Sequence, residues 1–226
     1  MIKAIIFDFD NTLMDFMKMK RAAVESAVDA MIDAGLTYKK EDMVEKVYQV
    51  YNKEGIEDQA IFDKVLMKEF GKIDYKILAS GIIGYRRAKD GTLALYPHVH
   101  LTLTGLTGMG IKMAVVSDAP RLPVWLRISG LGLQHYFDTV VTSDDSGVKK
   151  PHAKPFRMAL AKLGSEPNET IMIGDWVERD MVGAKSVGLT TVFARYGDIS
   201  GTKHSGADFE IDDVADLLKI VKKLNG

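Results

Sequence analysis

No cysteine occurs in the 226 residues, so a disulfide framework and a thiolate metal site are both excluded. A surplus of either charge is also missing: 30 Lys plus Arg stand against 31 Asp plus Glu, a net charge of −1. A chain so balanced has no global basic field to draw nucleic acid. No apolar run approaches the roughly 18 residues that a bilayer crossing needs, so no membrane association is expected. The opening Met-Ile-Lys-Ala-Ile-Ile-Phe-Asp lacks a secretory pattern, because acidic residues interrupt it at once. Together these absences lead us to expect a cytoplasmic protein. Internal repeats and low-complexity segments are missing too. The composition that remains, 46% apolar and 27% charged, is that of an ordinary globular chain.

The apolar rhythm changes twice along the sequence. Residues 2–9 form a short apolar run closed by two aspartates, which reads as a buried parallel strand. From 16 to about 90 the spacing is helical. Ala23, Ala27, Val28, Met31 and Ile32 share one face, and Gly35 stands where a C-cap belongs. Met43, Val47, Val50 and Tyr51 make a second stripe, and residues 58–70 and 74–88 two further helices. After Pro97 strands and helices alternate. Strands are expected at 112–117, 139–142, 170–174 and 190–194, and helices from Pro120 towards Gly130 or Gly132, at 155–163, 179–187 and 214–224. Alternation of this kind specifies an α/β fold, a Rossmann-like parallel sheet flanked by helices. The helical stretch interrupts it directly after the first strand. The expected domains are therefore an α/β core of residues 1–15 and 92–226 and an inserted all-helical cap of residues 16–91.

Ligands of open α/β sheets bind beyond the carboxyl ends of the strands. Polar residues gather at those ends here. The first strand leads into Asp8-Phe9-Asp10-Asn11-Thr12 and the second into Ser117-Asp118. The third is followed by Lys149-Lys150-Pro151, and the fourth ends at Gly174-Asp175 with Asp180 five residues on. Clustered carboxylates repel unless a cation neutralises them. Hard oxygen donors without Cys favour Mg²⁺ over zinc. Such a site, with a Lys and a Ser beside it, suits a phosphoryl group.

The set Asp8-x-Asp10-x-Thr12, Ser117, Lys150-Pro151 and Gly174-Asp175-x-x-x-x-Asp180 resembles the four motifs of the haloacid dehalogenase-like superfamily. The helical insertion resembles the cap of its phosphoglycolate-phosphatase-like subfamily. The resemblance implies a Mg²⁺-dependent phosphatase acting on a small phosphorylated metabolite through an aspartyl-phosphate. Asp8 is then the nucleophile, and Asp10 the acid that protonates the leaving oxygen and later the base that activates water. Asp8, Asp175 and the backbone carbonyl of Asp10 are the implied metal ligands. Thr12, Ser117, Asp118 and Lys150 belong to the phosphate site, and Asp180 orients the metal site from behind. The implied cap closes over the site and sets specificity. The second Asp, at position 10, separates this pattern from the metal-free dehalogenase branch. Phosphomutases carry the same residues, so an enzyme that moves the group within a sugar phosphate is the alternative. A non-catalytic module that binds phospho-ligands ranks behind it.

Blander readings compete at each position. Asp8 and Asp10 also suit a turn, and Ser117-Asp118 an N-cap before Pro120. Lys149 and Lys150 also suit a solvated pair, with Lys154 as a rival. His98 and His100 read as a polar helix start, because no third metal ligand lies nearby.

Overall fold

The computed structural model describes all 226 residues. The chain forms two compact units, residues 1–15 with 94–226 and residues 16–93.

The first unit is built on β1 (Ala4–Phe7), whose four residues are all buried. After the second unit the chain continues with α5 (Val99–Gly108), β2 (Lys112–Val116), α6 (Arg121–Gly130), β3 (Thr139–Val141) and the single turn α7 (Ser143–Ser146). There follow α8 (Ala153–Leu163), β4 (Thr170–Gly174), a π-helical turn (Val177–Met181), α9 (Val182–Ser186), β5 (Thr190–Ala194), β6 (Phe209–Ile211) and α10 (Asp216–Asn225). Every strand pair is parallel, and the six-stranded sheet runs β3-β2-β1-β4-β5-β6. β1 lies between β2 and β4, with Ile6 in register with Ala114 on one side and Met172 on the other. The order reverses direction at β1 and β4, which opens the crevice where ligands of such sheets bind.

Buried parallel strands need both faces covered, which is why they read as continuous Val/Ile/Leu/Met runs. On one face Ala4, Ile6, Ala114, Val116 and Met172 pack with Phe156, Ala159, Leu160 and Leu163 of α8. Those α8 residues recur three and four apart, the stripe a helix turns toward a core. Ile5, Phe7, Met113 and Val115, buried as well, point to the opposite face because strand side chains alternate.

The second unit consists of α1 (Phe16–Asp33), α2 (Lys40–Glu54), α3 (Ile61–Phe70) and α4 (Tyr75–Gly91). Val24, Ala27, Val28 and Met31 of α1 pack with Met43, Val47, Val50 and Tyr51 of α2 and with Phe62, Val65 and Leu66 of α3. Gly71 ends α3 in the left-handed conformation at φ 67°, and the Asp74 carboxylate caps α4 by accepting from Lys76 N and Ile77 N.

The expected elements and the observed ones part in a few places. The helix expected from residue 58 starts at Ile61, because Asp58 Oδ1 takes the Ala60 N–H and makes a turn first. The helix expected over 179–187 is divided: its first turn is π-helical, with Val182 N donating to Val177 O, and only Val182–Ser186 is α. The three-residue strand β6 and the single turn α7 are too short to stand out as periodic patterns.

Candidate active site

Asp8 directly follows β1, and its N–H still donates to Ile173 O of β4 at 2.9 Å. The ladder thus carries Asp8 to the mouth of the β1–β4 crevice with only 7% of its surface exposed. The chain then turns sharply. Leu13 N donates to Phe9 O at 3.0 Å and Asn11 N to Met14 O at 2.8 Å, with Asn11 in the left-handed region at φ 62°. Asn is among the few non-glycine residues that adopt this conformation readily. The turn brings Thr12 Oγ1 within 3.3 Å of Asp8 Oδ2 and 3.0 Å of Asp175 Oδ1, both hydrogen-bonding distances.

Two glycines allow this close approach. A Cβ on Gly197, after β5, would stand 1.7 Å from Asn11 O and 3.1 Å from Asp175 Cβ. A Cβ on Gly174 would stand 2.4 Å from Asp180 Oδ2. The π-helical turn returns Asp180 to the end of β4, where Trp176 N donates to its Oδ2 at 3.0 Å. Asp8, Asp175 and Asp180 consequently bring ligand oxygens within 4.8 Å of one another, all three buried.

Lys150 is the cation of this cluster and is itself 5% exposed. Its ammonium donates to Asp8 Oδ1 and, at 3.0 Å, to Val116 O. It also lies 2.7 Å from Asp180 Oδ1, but off the direction a hydrogen bond requires, so that oxygen has an ionic neighbour and no hydrogen-bond donor. Burial alone would lower the Lys150 pKa, but the charges of Asp180, Asp8 and Asp118 outweigh it and push the pKa up. Asp175 is raised by burial first, then by repulsion from Asp8 and Asp180. Asp180 is raised by burial and by Asp8, against the pull of Lys150. One buried ammonium among three buried carboxylates leaves the group short of positive charge. Crowded oxygen donors, an orphaned Asp180 oxygen and upward-shifted carboxyls are features a metal ion relieves. The group fits such an ion.

The other residues singled out in the sequence surround this center. Ser117 follows β2, is 4% exposed, and its Oγ accepts from Ala119 N at 3.2 Å. Asp118 Oδ1 accepts from Lys150 N at 2.8 Å, while its buried Oδ2 has no hydrogen-bond partner and lies 3.7 Å from Arg179 Nη1. Lys149 is exposed, whereas Lys150 is buried. The Asp10 carboxylate takes a different direction from the cluster's: Arg127 Nη1 of α6 donates to both of its oxygens, at 3.0 and 2.8 Å. His98 Nδ1 lies 2.6 Å from Asp213 Oδ2, where it makes an ion pair when protonated.

Three contributors were not visible in the sequence. Arg127 lies in a helix that reads as amphipathic cover for the sheet. Tyr196 OH donates to Thr12 O at 2.8 Å and its ring meets Tyr96 edge-on at 4.9 Å. Gly197 was one glycine among 20. No local pattern marks any of them, since each acts across a long stretch of chain.

A parallel α/β sheet with an acidic, metal-competent group at its switch point is an architecture suited to phosphoryl chemistry. The sequence matches the haloacid dehalogenase-like hydrolase family over residues 5–194, and the chain belongs to that family. It is 35% identical to a glyceraldehyde 3-phosphate phosphatase of Methanocaldococcus jannaschii, over 99% of each chain. The like-named protein of Methanopyrus kandleri is 34% identical, again over 99% of each. Among solved structures, a phosphatase of the same superfamily from Thermococcus onnurineus superimposes with a TM-score of 0.72 at 28% identity, covering 97% of this chain and 98% of that one.

Proposed function

We propose that this chain is a Mg²⁺-dependent phosphatase that hydrolyses a small phosphorylated metabolite through an aspartyl-phosphate formed on Asp8. The observation that carries this reading is the convergence of Asp8, Asp175 and Asp180 with Lys150 and Thr12 at the β1–β4 crevice. Asp8 attacks phosphorus, and the ester bond breaks with its electron pair on the leaving oxygen. Asp10 gives that oxygen a proton, then takes one from the water that cleaves the acyl-phosphate bond and frees inorganic phosphate. Lys150 holds Asp8 in one orientation and offsets charge on the transferring group. The Ser117 hydroxyl binds phosphoryl oxygen. Thr12 ties the Asp8 and Asp175 carboxylates to one spacing. Asp8, Asp175 and the Asp10 carbonyl would hold Mg²⁺, with Asp180 behind them; when bound, the ion supplies charge neutralisation for the phosphoryl oxygens.

The substrate class follows from the relatives: two named glyceraldehyde 3-phosphate phosphatases align over 99% of this chain. A triose phosphate is therefore the proposed substrate. The helical insertion, residues 16–91 in the sequence reading, is proposed as the cap that selects it. No helix is long and apolar enough to cross a membrane. The proposed compartment is the cytoplasm.

The test is phosphate release across a panel of triose, sugar and carboxylic-acid phosphates with Mg²⁺ present, with sugar-phosphate isomers measured in parallel. Release of free phosphate, fastest from glyceraldehyde 3-phosphate, is expected. Isomer formation without phosphate release would make the enzyme a phosphomutase, and inertness toward the whole panel would leave a binding module.

A further inference from the structure

Arg127 is a charged side chain in an expensive position. It is 7% exposed and lies on the face of α6 that also buries Val124 and Ile128. Removing a guanidinium from water is costly unless a partner of opposite charge and good geometry meets it. One such partner is Asp10, whose two oxygens both accept from Nη1, at 3.0 and 2.8 Å. The helix carrying Arg127 is braced at its other end, where Arg121 N donates to Asp144 Oδ2 at 2.8 Å and Arg121 Nη2 to Asp145 Oδ1 at 2.6 Å. The backbone of Asp10 is fixed by the Asn11 turn, but a turn leaves χ1 and χ2 of Asp10 undetermined. The Arg127 guanidinium, donating to both oxygens, is one group that constrains those angles.

We propose that Arg127 is a positioning residue for the proton-transfer group Asp10, aiming its carboxyl at the leaving-group oxygen. The inference rests on the acid/base role assigned to Asp10 above and goes beyond it by naming what orients that group. Proton transfer in a transition state depends on the donor being held within hydrogen-bond reach, and misplacement by about 1 Å can cost about 10²-fold.

Leaving-group chemistry provides the test. An alkoxide leaves poorly and needs the proton from Asp10. A p-nitrophenolate leaves without it. Aspartyl-phosphate formation includes the proton donation, and kcat/KM reports events up to that cleavage, so the later water step drops out. The experiment measures kcat/KM for glyceraldehyde 3-phosphate and p-nitrophenyl phosphate in wild type, Arg127→Met, Arg127→Lys, Asp10→Asn and the Arg127→Met/Asp10→Asn double variant, with thermal melts of each.

Asp10→Asn is expected to lose about 10²–10⁴-fold on the alkyl ester and far less on the aryl ester, the range of general acid catalysis. Arg127→Met should show the same selective pattern, about 10²-fold on the alkyl ester and under about 10-fold on the aryl ester. Arg127→Lys should recover part of the alkyl activity, and the double variant should be no more selective than Asp10→Asn. Should Arg127→Met fail to fold, Arg127→Lys keeps the charge but not the fork and must itself show the selective loss.

Equal losses on both esters in the folded Arg127 variants, with Asp10→Asn selective, would overturn the positioning role and leave Asp10 as the acid. Equal losses in Asp10→Asn would instead overturn the acid role and this inference with it. A gain on the alkyl ester in Arg127→Met would mean that Arg127 restrains Asp10 from its work, the opposite of what is proposed.

Discussion

Lys150 Nζ lies 2.7 Å from Asp180 Oδ1, with the two side chains only 2% and 1% exposed. Charges this deep in a protein interact through a low effective dielectric, and the one ammonium serves both Asp180 and Asp8. The pair also links two chain segments, because Lys150 precedes α8 and Asp180 lies in the turn after β4.

Replacing Lys150 by Met removes the cation from a group of three neighbouring buried carboxyls. Breaking a buried pair in this way costs about 3–5 kcal/mol. In metal-free buffer the urea midpoint of Lys150→Met should fall by an amount that corresponds to this, at an unchanged m-value. A midpoint within about 0.5 kcal/mol of wild type, the scatter of ordinary surface substitutions, would show that the ammonium carries no such burden.

Asp8→Asn keeps the volume of the side chain and removes its nucleophilic oxygen. Turnover should fall by on the order of 10⁴-fold or more, as for other nucleophile replacements, while the circular-dichroism melt stays cooperative. Wild-type protein in excess chelator should lose phosphate release and regain it with added Mg²⁺. Undiminished release from a pure Asp8→Asn sample, or in chelator, would contradict the assigned chemistry.

Thr12→Val tests the hydroxyl that reaches Asp8 Oδ2 and Asp175 Oδ1 at 3.3 and 3.0 Å. Groups that orient metal ligands through hydrogen bonds typically contribute 10–100-fold in affinity, so Mg²⁺ binding read by calorimetry should weaken by about that factor. Unchanged affinity would mean that the two carboxylates keep their spacing without Thr12.

The pH dependence of stability can be read at Asp145, away from the acidic cluster. Its Oδ2 accepts from Thr142 N at 2.9 Å and Thr142 Oγ1 at 2.6 Å, and Oδ1 accepts from Arg121 Nη2 at 2.6 Å. Burial pushes its pKa up, but these donors outweigh burial and hold the carboxyl below its ordinary range. A carboxyl depressed in the folded state stabilises above its unfolded pKa of about 3.9 and loses that contribution as pH falls through the lower folded value. Asp145→Asn should thus cost about 1 kcal/mol near pH 7, as a lost cap does. The gap from wild type should narrow below about pH 3.9. Urea titrations at pH 7, 4 and 2.5 check this, and a gap that widens toward low pH would reverse the sign.

Much of the fold was legible because the sheet is parallel and buried. Residues 170–174 and 190–194 are unbroken apolar or β-branched runs, the first bounded by Glu169 and Asp175 and the second closed by Arg195, and the structure places strands there. Asp8 and Asp175 drew notice for the same reason, each standing just past such a run. Phe209–Ile211 escaped notice because it offers three residues of alternation, too few to carry a period. The ten-residue helix α5 escaped because its faces are not marked by polarity: Thr102 is buried while Leu101 is exposed. The link between Asp10 and Arg127 spans 117 positions and left no trace in local spacing. Gly197 was equally silent, since its role comes from the Asn11 carbonyl packed against it and not from its neighbours in sequence.

The strand order has a consequence for synthesis. β1 occupies the middle of the sheet, yet its two flanking strands begin at Lys112 and Thr170. At translation rates of about 5–20 residues per second, the first strand waits on the order of ten seconds for its second flank to emerge. For that interval its backbone amides and carbonyls remain available to any passing strand, the hazard that sheet edges present. A strand wholly buried in the finished enzyme is thus at risk for most of the time the ribosome is at work.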